Sequence, residues 1–315
     1  MRFIYTGGAE GEVISGGATH ITVAEYCTLV RAWVFLLNKI IVEVICHDGV
    51  EKIERMAFSE CTNLRRLIMP GVKEVEQQAF GDCYALTDVE CDKLEIIRLW
   101  AFSACTSLRS INLPSARIVE EHTFNYCGAL TDVKFGRNLE RIEESAFIGC
   151  TSLERITIPL KDGIFTDENI FQECGKLKRV DLVEGEVHET IAALHLEEWR
   201  NEMNREIDAI NWVLPDADAG GWDDDDDPVY GNLGEKASTI GGWVIVVLRK
   251  INHYKTEHQR MLGEAGSSLQ HVLPHDIVIN NILSFLELPP HTFEVEDPVA
   301  DDQEDDSGDE EDMEE

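Results

Sequence analysis

Hydrophobic positions between residues 35 and 171 recur with a period of about 22 residues. The recurrence is centred on seven phenylalanines spaced 23, 22, 22, 22, 23 and 24 residues apart, which are Phe35, Phe58, Phe80, Phe102, Phe124, Phe147 and Phe171. A fixed period of this length is typical of a solenoid, in which each repeat buries its apolar side by stacking on its neighbours. The chain is therefore predicted to hold seven stacked repeats.

Within each repeat, the apolar positions predict a strand, a bend, an aliphatic returning segment and a short turn. Apolar residues nine and eleven positions after Phe alternate with polar ones, which predicts a half-buried strand. Phe, the residue three positions later and the Leu six positions later favour one tight helical turn. The position three after Phe is Asn38, Cys61, Cys83, Cys105, Cys127, Cys150 and Cys174 in turn. We expect parallel pairing of successive strands and inward columns of Phe, Cys and Leu.

The periodicity changes near Glu186 to the three-and-four spacing of amphipathic helices. A helical hairpin is predicted to cover the C-terminal end of the solenoid, with homo-association through the same helices as the alternative. Gly241 and Gly242 interrupt the second helix, which either begins after them or uses them for close packing. The predicted organisation is a flexible N-terminus (1–18), a solenoid (19–184), a helix (185–214), an acidic loop (215–234), a helical C-terminal region (235–290) and a disordered acidic tail (291–315).

Copies such as IERMAFSECTNLRRLIMP and IEESAFIGCTSLERITIP resemble leucine-rich repeats of the BspA type, also called the Treponema type. The order of repeats, helical segment and acidic end is similar to that of leucine-rich-repeat proteins expanded in diatoms. The resemblance implies an α/β repeat solenoid, with a curved parallel-strand domain followed by a helical hairpin. It also implies protein–protein interaction. It implies no catalytic residue, because the family has no shared catalytic motif.

Charge is distributed very unevenly along the chain. The formal net charge is -34, residues 294–315 hold fourteen Asp or Glu without Lys or Arg, and residues 216–227 hold seven Asp. Like-charge runs of this kind repel and stay solvated. They disfavour nucleic acids and anionic membrane surfaces as partners, because phosphates would be repelled. The tail is expected either to solubilise the chain or to bind basic proteins.

The sequence predicts no enzyme, cofactor or metal site. All nine cysteines fall at or before Cys174, and eight of them occupy two repeat phases, which favours buried structural thiols over disulfides or zinc. The ten histidines are scattered, and no nucleophile-elbow, phosphate-loop or dinucleotide motif occurs. No secretory leader or membrane span is recognised, so a cytoplasmic or nuclear location is expected.

Side chains that flank the inward column of each strand form the candidate partner-binding face. They are Arg66, Ile68, Asp88, Glu90, Ser110, Asn112, Asp132, Lys134, Arg155, Thr157, Arg179 and Asp181. Basic residues stand at both ends and acidic ones in the middle, which indicates a protein partner with the opposite pattern. Solenoids commonly bind through such a continuous face. The sequence therefore predicts a non-catalytic interaction module or scaffold.

Two alternative functions attach to the C-terminal region. Residues 273–288 resemble the opening of an F-box, which implies an adaptor that delivers partners to a ubiquitin ligase. The acidic tail indicates a nuclear factor that binds basic proteins.

Overall fold

The computed structural model describes residues 1–8, 17–214, 235–275, 278 and 283–295. The chain forms a stack of parallel-strand rungs, about seven turns in all, followed by helices. The predicted acidic loop 215–234 and the tail from residue 296 onward lie outside the described residues. The predicted solenoid class is confirmed.

One side of the stack, the strand face, carries the longer strands. Consecutive strands pair in parallel and in register, as in the alignment of Arg66 with Asp88. Its strands are β1 Arg2–Tyr5, β2 His20–Val23, β4 Glu43–Ile45, β6 Arg66–Ile68, β8 Asp88–Glu90, β10 Ser110–Leu113, β12 Asp132–Phe135, β14 Arg155–Ile158 and β15 Arg179–Leu182. From β4 onward, these strands are the segments that the period-two pattern predicts.

The returning aliphatic segments pair as well and form a second, six-stranded parallel sheet. Each contributes two residues, of which the second is fully buried. The strands are β3 Leu29–Val30, β5 Lys52–Ile53, β7 Glu74–Val75, β9 Ile96–Ile97, β11 Ile118–Val119 and β13 Arg141–Ile142. The core lies between the two sheets.

The seven phenylalanines form one continuous stack through the core. Neighbouring rings lie 5.0–5.7 Å apart between centroids and are nearly parallel, at 4–15°. This distance is close to the 4.7–4.9 Å separation of paired strands, so each ring rests on the ring of the next rung. Burial of one such side chain contributes about 1.5–3 kcal/mol by transfer alone.

Six cysteines line a second column and donate hydrogen bonds between rungs. Each thiol contacts the carbonyl oxygen of the phenylalanine in the preceding rung, at 3.1–3.4 Å. All six side chains are buried, and burial raises the pKa of the Cys61 thiol to about 12. Cysteine suits this position because it is a small hydrophobe that still carries a weak donor.

The segment around each phenylalanine is a series of β-turns, and the predicted helical turn is wrong for all rungs but the last. Residues two before and two after Phe adopt left-handed backbone conformations, for example Met56 and Glu60 around Phe58. The backbone N–H of Phe58 donates to the carbonyl of Ala79 in the next rung, so this edge forms a third inter-rung ladder. Among the rungs, the last alone has a 3-10 helix at this place, Glu168–Phe171.

The N-terminus corrects the expectation that residues 1–18 are flexible. Residues Arg2–Tyr5 form β1, which pairs in parallel with β2. Tyr5 is fully buried, its ring lies edge-on to Phe35 at 5.6 Å, and its hydroxyl accepts a hydrogen bond from the N–H of Arg31. Tyr5 therefore covers the first ring of the phenylalanine stack.

The helical region contains α1 Glu186–Ala193, α2 Glu197–Val213 and α3 Glu235–Gln270. The prediction of one helix over 185–214 is wrong because the chain breaks between α1 and α2. There the N–H of His195 donates to Nδ1 of His258 on α3, 3.0 Å away, instead of to a helical carbonyl. Helix α3 runs through Gly241 and Gly242, where an added Cβ would meet no atom within 4 Å, so close packing does not explain them.

Helices α2 and α3 cover the last rung of the solenoid. The ammonium of Lys236, 4% exposed, donates to the carbonyls of Cys174 at 2.9 Å, Gly175 at 3.3 Å and Leu177 at 2.9 Å. The side chain of Asn211 accepts a hydrogen bond from the backbone N–H of Val180 at 3.0 Å. These side chains satisfy backbone groups that another rung would otherwise pair.

Residues 291–295, predicted to begin a disordered tail, pack against α1 and α3. Phe293 is buried, its carbonyl accepts from the side chain of Asn252 at 2.9 Å, and Lys255 lies 5.2 Å from its ring centroid. Phe293 therefore anchors this segment to α3. In the F-box-like segment 273–288, Leu283–Leu286 forms a 3-10 helix, while residues 276, 277 and 279–282 lie outside the described residues.

The strand face is interrupted between the third and fourth rungs. Strand β8 pairs with β6, and β10 pairs with β12, but β8 and β10 share no ladder among the described strands. Val89, at the inward position of β8, is only partly buried, whereas Leu67 and Ile111 at equivalent positions are buried. The second sheet continues through the same rungs without a break.

The cysteine column makes a stability prediction. We expect Cys127→Ala to lower the free energy of unfolding by about 1–3 kcal/mol, because it leaves a void and removes a donor to the Phe102 carbonyl. Cys27→Ala is the control, since that thiol is also buried but lies outside the column and 3.8 Å from its acceptor. Chemical unfolding measures both, and equal losses in the two variants would contradict a special role for the column.

The covering of the last rung by α2 and α3 leads to a second prediction. We expect Lys236→Met to destabilise the protein by about 1–3 kcal/mol, because three carbonyls lose a charged donor while the apolar stem is retained. Hydrogen exchange should show the loss first in the last rung. Arg249→Met, on the exposed side of the same helix, serves as control. Unchanged exchange in residues 174–182 would show that Lys236 does not hold this end.

Candidate functional site

All twelve predicted face residues lie on the outward side of the strand face. Each is exposed or half-buried, and each occupies the strand position beside a buried column residue. Register brings the eight-after-Phe column together as Arg66, Asp88, Ser110, Asp132, Arg155 and Arg179, with the interruption between Asp88 and Ser110. The predicted face is thus one surface in two parts.

In the N-terminal part, Arg66 is surrounded by carboxylates of its neighbours. Its guanidinium lies 2.9 Å from Glu90, 3.2 Å from Asp88 and 3.8 Å from Glu43. The hydrogen bond to Glu90 is the main reason why the pKa of Arg66 is raised. The basic residue at this end of the face is therefore already paired with carboxylates of neighbouring rungs.

The C-terminal part keeps more positive charge. Arg155 lies 3.5 Å from Asp181 and 3.9 Å from Asp132, and Arg179 shares Asp181 at 2.9 Å. One carboxylate therefore serves two guanidinium groups. Oδ1 of Asp132 is buried and has no hydrogen-bond partner among the described residues.

A cleft of about 510 Å³ lies where this part of the strand face meets α1 and α2. Half of the predicted face residues line its floor: Asn112, Lys134, Arg155, Thr157, Arg179 and Asp181. Its helical wall includes His188, Ile207, Asp208 and Asn211. The fold therefore concentrates the predicted residues at the last rungs, in a concave and mixed-charge surface.

The helical wall was missed by reasoning from the sequence. The amphipathic pattern places Ile207 on the apolar stripe of its helix and thus predicts packing only. Nothing in the sequence indicates that α2 folds back beside β15, because this depends on contacts such as that of Asn211 with Val180. A polar residue directly after the buried Ile210 is the only local signal.

The described residues show no arrangement for metal or membrane chemistry. Within them, no group of three or more His, Cys, Asp or Glu is placed to hold a metal ion. In the same part of the chain, no helix joins sufficient length to sufficient apolarity for crossing a bilayer. The candidate site is an open surface cleft whose contacts are hydrogen bonds, ion pairs and apolar stems.

Several solved structures are similar to this chain at low sequence identity. A leucine-rich repeat protein of T. pallidum is 22% identical over 53% of this chain and 70% of its own, with a TM-score of 0.40. A leucine-rich cell surface protein of Faecalibacterium prausnitzii A2-165 is 23% identical over 53% of this chain and 60% of its own, with a TM-score of 0.36. The pneumococcal vaccine antigen PcpA is 14% identical over 57% of this chain and 66% of its own, with a TM-score of 0.27.

The sequence itself matches a family. No match is found among curated proteins. The model of the BspA type leucine rich repeat region matches in six copies over residues 28–116 and 95–193, more than half of the chain. With the stacked parallel rungs described above, this match shows that the chain belongs to the family of BspA-type leucine-rich repeat proteins.

Proposed function

We propose that this protein is a non-catalytic interaction module that binds a protein partner in the cleft between the last rungs and α2. The fold is one commonly used for protein interaction. The observation that carries the proposal is that half of the predicted face residues line one concave surface with Ile207 and Asn211 of α2.

The chemistry of the cleft suits an extended polypeptide. Thr157 and Asn112 offer side-chain hydrogen bonds, and Arg155 and Arg179 offer charged donors. The remaining strand face would extend the contact, although at Arg66 a partner must compete with three carboxylates. Affinity should therefore concentrate at the last rungs.

Reversing charge in the cleft tests the proposal. We expect Arg155→Glu with Arg179→Glu to reduce capture of the partner at least tenfold, because repulsion replaces two charged donors at the centre of the contact. Affinity purification from the native cells, with quantitative mass spectrometry, compares this variant with the unchanged protein.

Arg117→Glu with Arg141→Glu is the matched control. It changes the net charge by the same amount at exposed positions in or next to the second sheet. Both variants should show the unfolding transition of the parent protein. Recovery of the same partners with all three proteins would exclude the cleft as the binding surface.

A further inference from the structure

The C-terminal part of the strand face carries an excess of cations within a strongly acidic protein. Five basic side chains form what we call the basic patch: Lys134, Arg155, Lys176, Lys178 and Arg179. Three carboxylates line the strand side of the same surfaces, Asp132, Glu154 and Asp181, and Lys178 has an interaction of its own. In the described part of the chain, Lys134 and Lys176 have no ion pair.

The positive charge is concentrated toward the start of the last strands. Thr131, Asp132, Glu154, Arg155, Lys176, Lys178 and Arg179 line a shallow depression there. The neighbouring cleft also carries Glu184, between β15 and α1, and Asp208 on α2. The excess of positive charge therefore does not extend into the cleft. Around Arg66 the balance is reversed, because three carboxylates surround one cation. An acidic segment is therefore attracted to the last rungs rather than to the first.

The chain leaves its described part close to this surface. Thr292, Phe293 and Glu294 line a depression with Arg137, Leu160, Lys161 and Val183, which follow β12, β14 and β15. This depression shares Val183 and Glu184 with the candidate cleft. The tail thus starts at one end of the strands whose other end carries the basic patch. A strand of four residues spans about 13 Å.

The length and charge of the tail match that position. Residues 296–315 contain thirteen Asp or Glu and no Lys or Arg. Twenty residues reach at most about 65–70 Å when fully extended, at about 3.3–3.6 Å per residue, so the basic patch lies within their reach. At an effective concentration on the order of 1 mM, a site with a Kd of about 100 µM would be filled about nine-tenths of the time. A weak attraction between the tail and the basic patch is therefore enough to keep the tail bound most of the time.

We propose that the acidic tail, residues 296–315, docks in cis on the basic patch and competes there with an acidic segment of the partner. The inference rests on the proposed function in one respect, which is that the partner uses the same end of the strand face. It assigns the tail a regulatory role and the partner a negatively charged binding segment. Docking weakens with salt, because screening shortens the range of the attraction.

A labelled synthetic peptide of residues 296–315 tests docking by fluorescence anisotropy at low salt. We expect it to bind the chain ending at Val295, which retains every described contact, and to bind the full chain at least tenfold more weakly. Lys176→Glu with Lys178→Glu in the shortened chain should reduce binding at least tenfold. Lys73→Glu with Lys93→Glu, an equal change of charge at exposed sites, should change it less than twofold.

Three results would overturn docking in cis. They are failure of the peptide to bind the shortened chain, equal binding to the full chain, and equal loss in the control variant. If the full chain resists the peptide more strongly as the concentration of the full chain rises, its tail binds a second copy. That result would also overturn docking in cis.

Partner capture separates this inference from the proposed function. We expect the shortened chain to recover more partner than the full chain. If the peptide docks but Arg155→Glu with Arg179→Glu leaves capture unchanged, the proposed function fails and docking stands. If the peptide does not dock but the same variant loses the partner, docking fails and the proposed function stands.

Discussion

Stacking of identical rungs at the spacing of paired strands is the constraint on which this structure depends. Rings 5.0–5.7 Å apart and three inter-rung hydrogen-bond ladders share one repeat distance. A side chain that suits one rung must therefore suit its neighbours. This is why Phe58, Phe80 and Phe102 occupy equivalent positions, and why cysteine recurs where a small donor must reach the carbonyl of the preceding rung. No single rung could bury its own apolar side.

Because each inner rung must match its neighbours, residues that differ from the repeat pattern are found at the two ends of the stack. At the first rung, Tyr5 replaces a preceding phenylalanine and brings a hydroxyl that satisfies the N–H of Arg31. At the last rung, Lys236 and Asn211 supply the groups that another rung would have supplied. The candidate cleft arises at this end because the covering helices meet the strand face there. The helices that cover the last rung therefore also form one wall of the proposed binding surface.

The sequence predicts the repeat, but it does not predict how the repeats join the helices. The spacing of Phe, Cys and Leu predicts the buried columns, because each column position recurs seven times. The left-handed turns were not foreseen, since residues such as Trp100 and Gln78 occupy them where glycine would have signalled positive φ. The break before α2 depends on His258, 63 residues away in sequence from His195. The cleft likewise depends on long-range packing, so its helical wall leaves no periodic signal.

The interruption between β8 and β10 gives the strand face a property that a continuous sheet would lack. The second sheet and the phenylalanine stack run unbroken through this level, and the thiol of Cys91 still donates across it to the carbonyl of Asn112, 3.6 Å away. A partner that covers the whole outward surface therefore crosses one level at which the backbone ladder of this face is absent. It meets Arg66 on one side of that level and Arg155 on the other.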